Sequence, residues 1–125
     1  MSPRTLISAA VLCLTAACNT TESARVGRLD SPVTLAAGDE YPMPGHGSLR
    51  YVGVREDSRC PPAVNCIRAG DARVDFELTG RNVAVQRLTI VYPDQATGRL
   101  GALTVGIDAL DFAQPPRVTV RLQGR

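Results

Sequence analysis

From Ala72 to Thr79 the chain alternates without a fault: Ala72, Val74, Phe76 and Leu78 are apolar, and Arg73, Asp75, Glu77 and Thr79 between them are polar. Successive side chains of an extended strand point to opposite faces, so a period of two puts one face on a core and the other in water. A helix would scatter these apolar residues around its circumference. The segment is therefore a half-buried strand, and it needs partner strands and a second layer to cover its apolar face.

Comparable stretches recur along the chain. Val33 and Leu35 form a short first strand, ended by Gly38-Asp39, and Ser48 to Glu56 reads as a strand buried along most of its length. Gly80-Arg81-Asn82 is a hairpin turn into Val83 to Tyr92. Within that strand Val83 and Val85 share one phase while Leu88, Ile90 and Tyr92 share the other, so the inward face switches near Gln86-Arg87. Such a switch predicts a β-bulge or a crossing between two sheets. Leu103, Val105 and Ile107 mark another strand, and Val118, Val120 and Leu122 the last one.

Tyr41-Pro42-Met43-Pro44-Gly45-His46-Gly47 reads as a loop because of its prolines and glycines, Pro93 to Gly98 as a turn, and Asp108 to Gln114 as irregular. No heptad, repeat or amphipathic helix interrupts the pattern. Roughly six or seven short strands separated by turn residues predict an all-β domain over residues 32–125, a single antiparallel β-sandwich, with a small β-barrel as the alternative. With no Trp, two Phe and three Tyr, its core must be built from Val, Leu, Ile and Ala, and a covalent brace would help it.

Residues 1–17 carry a different signal. Arg4 supplies a positive start, Leu6 to Leu14 an apolar stretch too short to span a bilayer, and Thr15-Ala16-Ala17 small residues before Cys18. Leu14-Thr15-Ala16-Ala17-Cys18 resembles the lipobox of bacterial lipoproteins, with Thr15 where that family usually has Leu. The resemblance implies cleavage before Cys18, lipidation of its sulfur and attachment to a membrane through the N-terminal lipid. Asn19 after the cysteine fits sorting to an outer membrane, with the domain facing the periplasm. Residues 18–31, polar after the cysteine, are expected to form a flexible tether.

Export decides how the remaining cysteines are read. Cys13 leaves with the signal and Cys18 is taken by lipid, so Cys60 and Cys66 remain as a pair that an oxidising compartment joins. The disulfide would close a small loop between two strands and contribute about 2–3 kcal/mol through chain entropy. Pro61 and Pro62 stiffen the loop, and Asn65 is the expected site of an unusual backbone conformation. Asp57 is placed to accept hydrogen bonds from the following backbone, Arg59 to reach Asp71 across the loop base, and Ile67 to tuck into the core. With Arg68, these residues make the 57–71 loop the candidate binding element.

Asp57-Ser58-Arg59-Cys60-Pro61, then Cys66, then Ala69-Gly70-Asp71-Ala72 and an alternating strand resembles a motif of uncharacterised small bacterial lipoproteins and secreted proteins. Arg68 stands where that family usually has an aromatic. The resemblance covers about sixteen residues and supports the disulfide and the β fold, without bringing an activity.

Catalytic signatures are absent from the sequence. There is no nucleophile elbow, phosphate-binding glycine loop or histidine cluster, and the single His, His46, lies in the Pro/Gly-rich stretch. Met43 and His46 are soft enough to suggest copper, but a third ligand would have to come from the paired cysteines. No cofactor is expected. The net charge is +2, with both signs interleaved, and arginines 50, 55, 59, 68 and 73 sit among carboxylates, so a nucleic-acid partner is not expected. These features predict a monomeric envelope lipoprotein that is not an enzyme: a binding or structural module with an envelope protein as possible partner. The alternatives are an inhibitor presenting the 57–71 loop to a hydrolase and a small-ligand or metal carrier.

Overall fold

The computed structural model describes residues 28–124, and the expected signal, the expected lipidation at Cys18 and most of the expected tether lie outside them. Eight strands make up the described chain: β1 (Val33–Leu35), β2 (Glu40–Met43), β3 (Gly47–Asp57), β4 (Ala72–Gly80), β5 (Val83–Tyr92), β6 (Thr97–Leu100), β7 (Leu103–Leu110) and β8 (Val118–Gly124). They form two antiparallel sheets of four, in the orders β1-β8-β7-β6 and β2-β3-β4-β5. The sheets stay separate, so the domain is a sandwich and not a barrel. The chain crosses between them after β1 and after β5, and β1 returns to pair with β8, Val33 opposite Val120.

The alternation in β4 is realised as expected. Ala72, Val74 and Phe76 are fully buried, and they face Leu103, Val105, Val118, Val120 and Leu122 in the same core. The two large rings at its centre, Tyr51 and Phe76, lie with centroids 5.7 Å apart and tilted by 40°. Aliphatic side chains fill the rest, each contributing about 1.5–3 kcal/mol on burial.

Several expectations are corrected. The loop expected at residues 41–47 is in part β2: Tyr41 opposes Leu49 and Met43 opposes Gly47, with both Tyr41 and Met43 buried. Pro42 is tolerated because β2 is an edge strand, where a missing N–H costs no ladder bond. Only residues 44–46 turn, closed by the His46 amide donating to the Met43 carbonyl at 3.0 Å. Thr97–Leu100, partly read as a turn, is strand β6; its one buried apolar residue, Leu100, gave no alternation to detect.

Bulges account for the remaining differences. Strand β7 continues through Leu110 because Asp108 is an extra residue between the Ile107–Val120 and Ala109–Thr119 pairs, which resets the alternation. In β3 two shifts, at Tyr51/Gly53 and Val54/Glu56, turn its second half outward, so Val52 is exposed and the strand is not buried along most of its length. In β5 two residues, Ala84 and Val85, oppose Thr79 alone, which places the switch slightly before Gln86. Val83 and Val85 are consequently exposed, having passed the end of the core.

Residues 28–31, assigned to the tether by sequence, lie against the domain. The Arg28 amide donates to the Tyr41 hydroxyl at 2.8 Å, the Asp30 amide to the Leu122 carbonyl at 2.7 Å, and Leu29 packs on the core. The chain thus enters beside the start of β3 and the end of β8. The β3–β4 loop leaves from the opposite end.

Candidate functional site

The loop that joins β3 to β4 rises on a hydrogen-bonded neck. The Ser58 amide donates to the Asp71 carbonyl at 2.7 Å, the Asp71 amide donates to Ser58 Oγ at 3.1 Å, and the Cys60 amide donates to the Ala69 carbonyl at 3.0 Å. Gly70 lies at φ +66°, in the left-handed region, and a Cβ there would overlap the Ser58 carbonyl. The motif's glycine is therefore a requirement of the neck.

Above the neck, Cys60 and Cys66 form the expected disulfide, with Cα atoms 5.8 Å apart. Inside it, the Val64 amide donates to the Pro61 carbonyl at 3.3 Å, closing a four-residue turn. The left-handed residue is Ala63 at φ +66°, not Asn65. Pro62 takes the second position of the turn, where its fixed φ fits, and the positive φ then falls on the third.

Arg59 is the clasp that holds this loop to the other sheet. Its side chain is 7% exposed, and its guanidinium donates through Nε to Asp57 Oδ1 at 2.9 Å and through Nη2 to Oδ2 at 2.8 Å. Nη1 donates to the Leu110 carbonyl at 2.6 Å and Nη2 to that of Asp111 at 2.7 Å. The expected bond from Arg59 to Asp71 is absent: the guanidinium is directed instead to Asp57 and to the Leu110 and Asp111 carbonyls, and Asp71 meets Ser58 through its backbone. Asp57 also accepts from the Arg59 amide at 3.1 Å, as its place before the turn suggested. These bonds from Arg59, its side chain first, hold the Asp57 carboxyl below the usual carboxylate range.

The guanidinium lies over Phe112, 4.2 Å from the ring centroid. Phe112 supplies the aromatic that the motif led us to expect at position 68; it reaches the underside of the loop from the β7–β8 connection. That connection is itself tied together. Asp111 Oδ1 accepts from the Ala113 and Arg117 amides at 3.1 and 2.7 Å, and Oδ2 accepts from Arg117 Nε at 2.9 Å, which lowers the pKa of the Asp111 carboxyl. Beneath it the buried Tyr51 hydroxyl donates to the Pro116 carbonyl at 2.8 Å. Burial, above all, pushes the Tyr51 phenol up to about 12.

The site residues named from sequence thus separate by role. Asp57 and Arg59 through their side chains and Asp71 through its backbone hold the loop, while Pro61, Pro62, Asn65 and Arg68 are exposed. Ile67 does not reach the core and is 104% exposed. Val64, 55% exposed, was missed by sequence reasoning. The available signal was two branched aliphatic residues inside a loop, with no alternation to place them in a strand. Arg68 has no carboxylate partner among the described residues, whereas Arg55 and Arg73 pair with Asp75 and Glu56.

Chemically, the loop offers an apolar tip with one cation beside it. The imagined copper set is not assembled: Met43 and His46 lie at the end of the sandwich opposite the loop, Met43 buried in the core, and the cysteines of the loop are joined. Among the described residues no group of His, Cys, Asp and Glu is arranged to hold a metal.

No family model and no solved structure matches the chain. Among curated proteins, erythronolide synthase EryA2 of Saccharopolyspora erythraea is 35% identical over 99 residues, 75% of this chain. The match takes in 3% of that protein's length, a local likeness that does not establish membership of its family.

Proposed function

We propose that this chain is a non-catalytic, lipid-anchored envelope protein that uses the disulfide-closed loop to bind another protein. The carrying observation is Ile67, fully exposed beside Val64 on a loop whose own stability is met by the neck, the disulfide and the Arg59 clasp. Two aliphatic side chains held out in water contribute nothing to this fold and offer ready-made area to a partner. The free Arg68 beside them argues for a partner with an apolar pocket rimmed by carboxylate. Because the loop is ordered in advance, binding loses little conformational entropy.

The N-terminal signal and the chain's entry point support the anchored arrangement. A tether arriving at Arg28 reaches the end of the sandwich opposite the loop, so a lipid on Cys18 leaves the loop outermost. In this reading the protein is a monomer at the outer membrane, facing the periplasm. The protruding shape of the loop also favours a narrower version, in which the partner is a hydrolase whose cleft receives it.

The test uses the full chain on beads against an envelope extract, beside Ile67→Asp and Arg68→Glu. A partner retained by the native chain and lost by both variants, with their melting curves unchanged, supports the reading; equal retention by all three refutes it. Assay of the captured partner for hydrolase activity, with and without added chain, tests the narrower version.

A further inference from the structure

At the end opposite the loop, the sheets part between the β4–β5 hairpin and the β6–β7 turn and leave a cleft of about 1130 Å³. That is ample room for a small amphiphile, since ligand sites commonly have about 300–1,000 Å³. Leu78 lines it above the buried Met43 and Leu103, and the β5 bulge brings Val83 to its wall, 60% exposed. Arg81 and His46 also line it, and neither has a carboxylate partner among the described residues. No Asp or Glu contributes to the lining, although the chain has 12 of them.

We propose that this cleft binds a free long-chain fatty acid, with the hydrocarbon tail along Leu78 and Val83 and the carboxylate at Arg81 and His46. An apolar lining removes methylenes from water, and a guanidinium without an acidic neighbour selects an anionic head, with the imidazole beside it as a second polar contact. The absence of carboxylates matters as much as the presence of arginine, because a single acidic group would compete for it. This site is independent of the loop, so either can fail without the other.

The experiment measures uptake of cis-parinaric acid by the full chain from its fluorescence, with competition by palmitate and by hexadecanol, which has the same tail and no charge. Val83→Asp and Arg81→Glu are run alongside, with melting curves to confirm that both fold; both positions are exposed, so the core is untouched. Expected are saturable uptake at one per chain and displacement by hexadecanol about tenfold weaker than by palmitate. Val83→Asp should weaken uptake by about tenfold or more, through a charge placed on the apolar wall. Arg81→Glu should weaken palmitate by about tenfold and leave hexadecanol unchanged. Uptake that survives Val83→Asp belongs to another part of the chain and overturns the proposal, as does equal competition by acid and alcohol. Absence of saturable uptake overturns it too, including where gel filtration shows a dimer.

Discussion

Replacing Arg59 by Met keeps an unbranched apolar stem and removes the guanidinium fork. Four side-chain hydrogen bonds disappear, two to the Asp57 carboxylate and two to the Leu110 and Asp111 carbonyls, together with the contact over Phe112. Hydrogen bonds to charged groups contribute about 1.5–3 kcal/mol each, but bonds made by one side chain do not add. Asp57 is 27% exposed at its side chain and regains some hydration once unpaired. The comparison with losing one partner of a buried pair, about 3–5 kcal/mol, is therefore an upper guide, and we expect about 2–4 kcal/mol. For a domain of this size that is a fall in Tm of roughly 10–25 °C. Urea and thermal denaturation followed by circular dichroism read it directly. Arg59→Lys keeps the charge without the fork, and should recover less than half of the loss. A double-mutant cycle with Asp57→Ala should show coupling above about 1 kcal/mol. A loss below about 1 kcal/mol in Arg59→Met would refute the claim that this side chain fastens the loop to the opposite sheet.

Gly70→Ala should destabilise by more than about 2 kcal/mol in urea denaturation, since the neck has no space for a Cβ and the φ is left-handed. Changing Cys60 and Cys66 together to Ser should lower stability by about 2–3 kcal/mol while leaving the far-ultraviolet spectrum of the sheets intact, because the closed loop spans few residues. Alkaline titration should show the Tyr51 phenol ionising well above the ordinary value of 10.0. Its folded pKa is raised, so the stabilising effect is complete below pH 10.0 and is lost as the pH rises towards about 12, and Tyr51→Phe removes that phase. For Asp57 the sign is opposite: its pKa is lowered, so its contribution is complete well above 3.8 and is lost as the pH falls through the folded value, a loss that Asp57→Ala should abolish.

Much of the sandwich was legible because β4, β8 and most of β7 bury one face and wet the other, which writes itself as a period of two. The strands that escaped notice are edge strands. β2 holds a proline that only an edge accepts, and β6 buries a single residue, Leu100. The bulge in β5 was legible from the change of phase along the strand, whereas the one at Asp108 in β7 reset the period with no residue type to announce it. At the loop, the disulfide and the Asp57 turn followed from local residues. The partners of Arg59 lie 51 and 52 residues away, as carbonyls that any residue could provide, and no local pattern could have named them. Ile67 was sent inward by the general rule for aliphatic side chains, whereas it stands fully in water on the disulfide-closed loop.

The central claim is that the 57–71 loop is held in its presented form before any partner arrives. Backbone order parameters of the full chain, free in solution, test it most directly. The account predicts values near 0.85 from Ser58 to Asp71, the level of a rigid backbone, and a marked fall on Arg59→Met. Values below about 0.6 across Pro61 to Arg68 in the native chain would contradict it.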